Sequence, residues 1–322
     1  MDEYVNIYGD IELEIMINMN KILKCITDSK IRFGYLSKLG VTKYISDKAF
    51  VEKEYFLNTG EKLNLVHPQK FNEKLQWLKL YDHNPQYTIM VDKYRARQYI
   101  KDVIGDQYLI PLLGVWGKPD EIEFDLLPNQ FVLKCNHNSG TGMCVCKDKN
   151  RIDISKIKRE LRKGLREDYY SVHREWPYRD VQRQIIAEKY MVDEGGEVLT
   201  DYKFFCFNGE PRVMYISNDG AENPRTDFFD MEFNHLPIIM KDPNSEQLPQ
   251  KPQNFELMKE LAEKLSEGIP FLRTDFYEIN GNVYVGELTL YHNAGLSHIE
   301  PEEWSYKLGS YIDLSIAYGM HL

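Results

Sequence analysis

The sequence predicts an α+β protein of two lobes with a helical region appended at its N-terminus. Three observations point there. Helical apolar spacing governs the N-terminal part, short strand-like runs replace it from Phe131 onward, and an Asn280-Gly281-Asn282 turn separates two long apolar strands near the C-terminus. Helices and strands mix without regular βαβ alternation, and no internal repeat or low-complexity tract is visible.

Residues 11–40 read as helical, with Ile11, Leu13, Ile15, Met16, Met19, Ile22 and Leu23 among polar positions, until Gly34 and Gly40 interrupt the pattern. A second helix opens near Pro68, where Phe71, Leu75 and Leu78 repeat at helical spacing and Trp77, Leu80 and Tyr81 widen the stripe, which reads as core packing. Asp153 is placed to cap a helix with Ile154, Ile157, Leu161 and Leu165 inward and a solvated basic face outward. Strands are expected at Phe131 to Cys135, Gln184 to Met191, Asp201 to Phe207 and Arg212 to Ser217. A helix over Asn254 to Glu267 stops at Gly268 and Pro270. The hairpin Ile269 to Glu278 and Val283 to Tyr291 follows, and helical Trp304 to Tyr318 closes the chain.

Composition narrows the function classes. The chain has 322 residues, 43% of them hydrophobic and 28% charged, with 22 Tyr and 15 Phe, which suits a folded core rather than a disordered chain. A formal charge of -10 argues against sequence-independent nucleic-acid binding, so cations for any anionic ligand must be gathered locally. The longest apolar candidate, around Tyr108 to Trp116, is broken by Pro111 and Gly114 and falls short of the ~20 residues of a membrane-spanning helix. Met1-Asp2-Glu3 places acids where a secretory signal carries cations, so a cytoplasmic protein is expected. Cys25, Cys135, Cys144, Cys146 and Cys206 are odd in number and form no Cys-x-x-Cys pair, so they read as free thiols.

Three constellations can carry chemistry. Lys134 ends an apolar strand and is followed by Asn136-His137-Asn138-Ser139-Gly140-Thr141-Gly142, a polar loop that can place an ammonium and backbone N–H groups around a phosphate. It is not a Walker A loop, and alone it can equally be a plain turn. The second group is Arg273, Asp275, Glu287 and Thr289 on the hairpin. A two-residue Asn280-Gly281 loop pairs Ile279 with Asn282 and sets the carboxylates on opposite faces, and a three-residue loop sets them on one face. The three-residue loop is expected here. Two carboxylates converging without dedicated cations suggest Mg²⁺, whereas Arg273 beside them allows a simple salt bridge. The third group places Lys203, in Asp201-Tyr202-Lys203, and Arg212 on neighbouring strands, and it matters only if it faces the same cleft.

The order Asp92-Lys93-Tyr94, Phe131-Val132-Leu133-Lys134-Cys135-Asn136-His137, Ile186-Ala187-Glu188-Lys189-Tyr190, Asp201-Tyr202-Lys203-Phe204-Phe205-Cys206-Phe207-Asn208-Gly209 and Gly286-Glu287-Leu288-Thr289 resembles the TupA-like ATP-grasp family. The likeness runs from about Tyr55, through Phe71-Asn72-Glu73-Lys74-Leu75-Gln76-Trp77, to about Tyr291. It implies an ATP-grasp fold whose two α+β lobes clamp ATP with Mg²⁺. It divides the chain into a helical extension (1–65), a helical region carrying Lys93 (66–120), a small lobe with the phosphate loop (121–191) and a large lobe with the metal hairpin (192–322). By the same resemblance Lys93 and Lys134 are the phosphate-binding lysines, and Ser139, Gly140, Thr141 and Gly142 form the loop closing over the phosphates. Glu188, Lys189, Tyr190 and Met191 meet the adenine and ribose. Asp275, Glu287 and Thr289 hold the metal, although Thr289 stands where the family commonly has Asn. Arg273, Lys203 and Arg212 neutralise the transferring phosphoryl group and the acyl phosphate, and His137, His292 and Asn293 contact substrate.

The expected function is an ATP-dependent carboxylate–amine ligase acting through an acyl phosphate. It would join an amino acid or amino sugar to a uronic acid or peptidyl carboxylate in surface-polysaccharide biosynthesis, in association with polysaccharide assembly machinery. The rivals are a glycosyltransferase, the label often given to such proteins, a small-molecule kinase on the same scaffold, and a non-catalytic assembly subunit. No convincing Asp-x-Asp pair supports the first, since Asp227-Phe228-Phe229-Asp230 has the wrong spacing.

Overall fold

Two units are distinguishable in the computed structural model, which describes residues 26–193, 199–217 and 224–318. Among the described residues, the first comprises the chain up to Leu63 together with Ser171–Arg174. In it α1 (Ser29–Lys38) begins where the Asp28 carboxylate accepts from the backbone N–H of Lys30 and Ile31. Contrary to the sequence expectation, α1 passes through Gly34, and the break falls at Gly40, whose φ of 71° is left-handed. The rest of that expected helix, residues 11–25 with Cys25, lies outside the described residues. Helix α2 (Asp47–Thr59) is capped by Ser46 and buries Phe50, Val51 and Tyr55. Arg174 returns to this unit, donating to the Thr42 carbonyl at 2.8 Å and stacking 4.4 Å from the Phe50 ring centroid.

The second unit holds everything else. Helices α3 (Phe71–Tyr81), α4 (Gln86–Val91) and α5 (Ala96–Ile104) precede a four-stranded antiparallel sheet. Its strands are β1 (Leu112–Trp116), β2 (Phe131–Cys135), β3 (Cys144–Cys146) and β4 (Ile185–Lys189), in the order β1-β4-β2-β3. Phe131 and Leu133 alternate with Val132 and Lys134 along β2, so one face packs on Ile157 and Leu161 of α6 (Ile154–Arg166) and the other carries Lys134. The predicted Asp153 cap is present, accepting from the Lys156 N–H at 2.9 Å. Ile154, expected inward, is exposed in the first turn of the helix, ahead of the stripe that faces the sheet.

A larger antiparallel sheet comprises β5 (Asp201–Phe207), β6 (Glu210–Ser217), β7 (Thr226–Phe229), β8 (His235–Leu236), β9 (Phe271–Ile279) and β10 (Asn282–Thr289), in the order β10-β9-β5-β6-β7-β8. Phe204 and Phe276 lead the face covered by α7 (Phe255–Ser266), where Phe255, Met258, Leu261 and Leu265 are buried. Burial of each such side chain stabilises the fold by roughly 1.5–3 kcal/mol. Phe71 of α3 packs beside this sheet at 5.8 Å from Phe205 and 5.1 Å from Phe271, ring centroid to ring centroid. The stripe on α3 widens differently from the expectation: Trp77 and Leu80 are half-buried and Tyr81 is exposed, whereas Asn72, Gln76 and Lys79 are buried. The last helix, α8 (Glu303–Tyr311), ends before the expected Tyr318, because Asp313 turns its carboxylate to the Ser315 N–H and starts a separate 3₁₀ turn.

The hairpin also corrects the expectation. Its loop has two residues, Asn280 and Gly281, and Ile279 pairs with Asn282. The carboxylates nevertheless stand side by side, because the register shifts between Val285 and Glu287, where Gly286 is an extra residue, and Asp275 becomes the direct partner of Glu287. A Cβ on Gly286 would lie 2.9 Å from the Tyr277 ring, so the bulge needs glycine. No helix among the described residues is long and apolar enough to cross a membrane.

Candidate active site

Strand register sets a row of side chains across the large sheet. Glu287 pairs with Asp275, Asp275 with Lys203, Lys203 with Tyr215 and Tyr215 with Phe228, so five adjacent strands present one residue each to the same face. All five line a cavity of about 530 Å³. Arg273 and Tyr277 flank Asp275 at i−2 and i+2 on β9 and line it too, as do His292 and Asn293. From the other side Lys134 of β2, Ser139, Gly140 and Met143 of the loop after it, and Lys93 complete the wall.

Lys93 ties these parts together. Asp92 accepts from the Tyr94 and Arg95 N–H groups and from the Asn136 amide, fixing the segment against the small sheet. The Lys93 ammonium donates to the Asn138 carbonyl at 2.8 Å and lies 3.1 Å from Glu287. Lys134 lies 2.6 Å from Glu188, which also meets Arg97 at 3.4 Å. Arg97, in the first turn of α5, was not singled out from sequence, although a second cation four residues after Lys93 is a readable signal.

The electrostatics are those of a desolvated ion network. Arg273 clamps Asp275 with two bonds, Nε to Oδ1 at 2.7 Å and Nη2 to Oδ2 at 2.6 Å, and approaches Glu287 at 3.6 Å. Burial pushes the Asp275 carboxyl up to about 6, against the pull of Arg273 and Lys203. Burial acts on Glu287 in the same sense, but Lys93, Arg273 and Lys134 outweigh it and hold that carboxyl below its ordinary value. Lys203 is buried, yet Tyr215, Asp275 and Asp201 raise its pKa. His292 is driven far below the ordinary imidazole value by burial, Arg273 and Lys203, and is neutral. Arg273 Nη1 donates to its Nδ1 at 3.1 Å, so Nε2 carries the proton, and the Asn293 side chain 3.2 Å away must turn its oxygen toward it.

Several sequence expectations lie elsewhere. Arg212 is exposed on β6, paired with Glu210 at 2.6 Å and stacked on Tyr311, because its strand position faces away from the row. His137 is buried in the loop, its Nε2 3.2 Å from the Glu167 carbonyl, and burial lowers its pKa to about 4. Thr141 and Gly142 turn toward α6, where a Cβ on Gly142 would lie 3.0 Å from the Gly164 Cα, and of the four residues expected to close over the phosphates only Ser139 and Gly140 reach the cavity. Glu188 lines a small adjoining cavity with Lys134, and Lys189, Tyr190 and Met191 lie beyond it. Thr289 pairs with Arg273 on the face that carries Glu287 but does not line the large cavity. Tyr215, Phe228 and Tyr277 were missed, since strand pairing alone brings them together. The described cysteines are free, and burial pushes the Cys135 and Cys206 thiols up to about 11 and 12.

The premise that the carboxylates lack dedicated cations fails, since Arg273 and Lys93 already hold them. Among the described residues no group of three or more His, Cys, Asp or Glu is disposed to hold a metal ion. Two carboxylates side by side are nonetheless an all-oxygen donor set, the kind Mg²⁺ uses when phosphates and water complete its shell.

A family model for TupA-like ATPgrasp proteins matches residues 73–313. The chain belongs to the TupA-like ATP-grasp family. Its sheets carry that family's ATP-grasp fold. Among solved structures, D-alanine–D-alanine ligase from Bacillus anthracis in complex with ATP is 16% identical, covering 63% of this chain and 54% of that one at a TM-score of 0.38. The D-alanine–D-alanine ligase from Helicobacter pylori is 15% identical over 75% of this chain and 69% of that one, TM-score 0.40. N5-carboxyaminoimidazole synthase from Aspergillus clavatus is 12% identical over 69% and 51%, TM-score 0.39. The chain thus spans about half the length of the first of these. Likenesses at this level say nothing of what the chain binds or makes. No curated protein matches the sequence.

Proposed function

We infer that the protein is an ATP-dependent carboxylate–amine ligase of the cytoplasm. The observation that carries the reading is the convergence of Lys93, Lys134, Lys203 and Arg273 on one cavity with Asp275 and Glu287. Phosphoryl transfer asks a protein chiefly to position reactants and offset spreading negative charge, which such a set can do without a covalent nucleophile. Lys93 and Lys134 bind the phosphates, and Ser139 and Gly140 cover them. Glu188, with the segment to Met191, meets the nucleoside. Arg273 and Lys203 neutralise the transferring group and the acyl phosphate, and His292 and Asn293 contact the carboxylate substrate.

Asp275 and Glu287, with the Thr289 hydroxyl as a weaker third ligand, would hold Mg²⁺, which when bound supplies charge neutralisation on the phosphates. The carboxylate takes the γ-phosphoryl group of ATP and ADP leaves; an amine then attacks the acyl phosphate, and phosphate and a proton leave as the amide forms. The carboxylate is a uronic or peptidyl acid and the amine an amino acid or amino sugar, in the assembly of a surface polysaccharide.

The test is to incubate the protein with ATP, Mg²⁺ and a panel of uronic acids and amines, following ADP, phosphate and product mass. An amide formed with equimolar ADP and phosphate is expected. A stable phosphorylated acceptor without free phosphate would make it a kinase, and glycosyl transfer independent of ATP would remove the reading.

A further inference from the structure

Beneath the cavity, the turn His292–Gly295 has a backbone that its sequence does not favour. Asn293 (φ 47°, ψ 39°) and Ala294 (φ 56°, ψ 18°) are consecutive left-handed residues, and neither is glycine. Asparagine tolerates that region, but alanine has no side-chain bond to support it, so the surroundings must impose it.

The buried face of α3 supplies the constraint. Gln76 Nε2 donates to the carbonyls of Ala294 at 2.9 Å and Gly295 at 2.8 Å, Lys79 Nζ donates to the Ala294 carbonyl at 2.8 Å, and Asn72 Nδ2 donates to the Ser297 carbonyl at 2.6 Å. Gln76 is 0% exposed and Lys79 1%. A lysine is almost never so deeply buried for packing alone. The approach is close enough that a Cβ on Gly295 would lie 2.8 Å from Gln76 Nε2.

We propose that Gln76 and Lys79 are positioning residues, which act from outside the cavity by locking this turn so that His292 and Asn293 face it. His292 accepts from Arg273, and Arg273 clamps Asp275, so a shift of the turn reaches the carboxylate row through those two contacts. The effect on turnover rests on the ligase reading; the lock itself does not.

The experiment uses Lys79→Met and Ala294→Gly, singly and combined, in the full chain. Glycine adopts a positive φ without a Cβ penalty, so a turn with glycine at 294 depends less on the lock. Peptide-level hydrogen exchange over residues 291–297 should accelerate at least tenfold in Lys79→Met, with β2 and α6 unchanged, and return most of the way to wild type in the double variant. Phosphate release from ATP and Mg²⁺ should follow the same order, with kcat down tenfold or more and the KM for ATP within twofold. Unchanged exchange in Lys79→Met, or no recovery in the double variant, overturns the proposal. If Lys79→Met does not fold, Gln76→Ala with and without Ala294→Gly answers the same question. If the wild-type protein releases no phosphate, the ligase reading falls and the exchange comparison alone decides the lock.

Discussion

The six-stranded sheet holds its charges in mutual contact out of water, while the four-stranded sheet offers Lys134 and a glycine-bearing loop at partly open positions. Arg273, Asp275 and Lys203 are each buried and paired, and Gly140 has nothing within 4 Å of where a side chain would start. The difference separates two jobs. Fixed ions in a low-dielectric floor are oriented before any ligand arrives, at a desolvation cost the fold must carry. A partly exposed lysine beside a loop with positive φ at Gly140 and Gly142 costs the fold little and can move onto an anion.

That contrast is broken most sharply at Arg273. In Arg273→Met the Asp275 carboxylate loses both clamping bonds and His292 loses its donor, so about 3–5 kcal/mol of stability should go, as when one member of a buried pair is removed. Denaturant unfolding at pH 7 measures it. A loss under 1 kcal/mol would mean that the floor is not held by its ions.

A smaller effect comes from titrating the same floor. Asp275 is raised to about 6 when folded, against about 3.9 for an unfolded aspartate, so between those values the folded chain binds the extra proton. Its contribution therefore favours the fold below about pH 4 and is lost as pH rises through 6. Relative to Asp275→Asn, which cannot titrate, the wild-type protein should lose on the order of 2 kcal/mol between pH 4 and pH 6.5. A gain over that range would show that Arg273 and Lys203 outweigh burial.

The two sheets also differed in how far they could be read from sequence. β2 and β5 were placed to the residue, because a short run of apolar and aromatic residues is a local signal, and Lys134 followed from its place at the end of such a run. The large-sheet row was only partly legible: Asp275 and Glu287 were picked out, but their alignment depends on a bulge at Gly286 that no count of loop residues reveals. Tyr215 and Phe228 join the row through pairing between distant segments. Gln76 and Lys79 were hidden for a different reason, since polar residues on a helix read as its wet face, and here they satisfy backbone carbonyls in the interior.

The smallest stability change belongs to the four-stranded sheet. Lys134→Met removes a contact of 2.6 Å to Glu188, but Arg97 remains 3.4 Å from that carboxylate, so Glu188 is not left uncompensated and the cost should stay below about 1 kcal/mol. If Lys134 binds phosphate, the same change removes a charge-assisted bond worth roughly 1.5–3 kcal/mol, a tenfold or greater loss of ATP affinity. Thermal unfolding without nucleotide and calorimetric titration with ATP separate the two quantities. A large loss of melting temperature with unchanged ATP binding would make Lys134 a structural partner of Glu188, and the division of labour between the sheets would not hold.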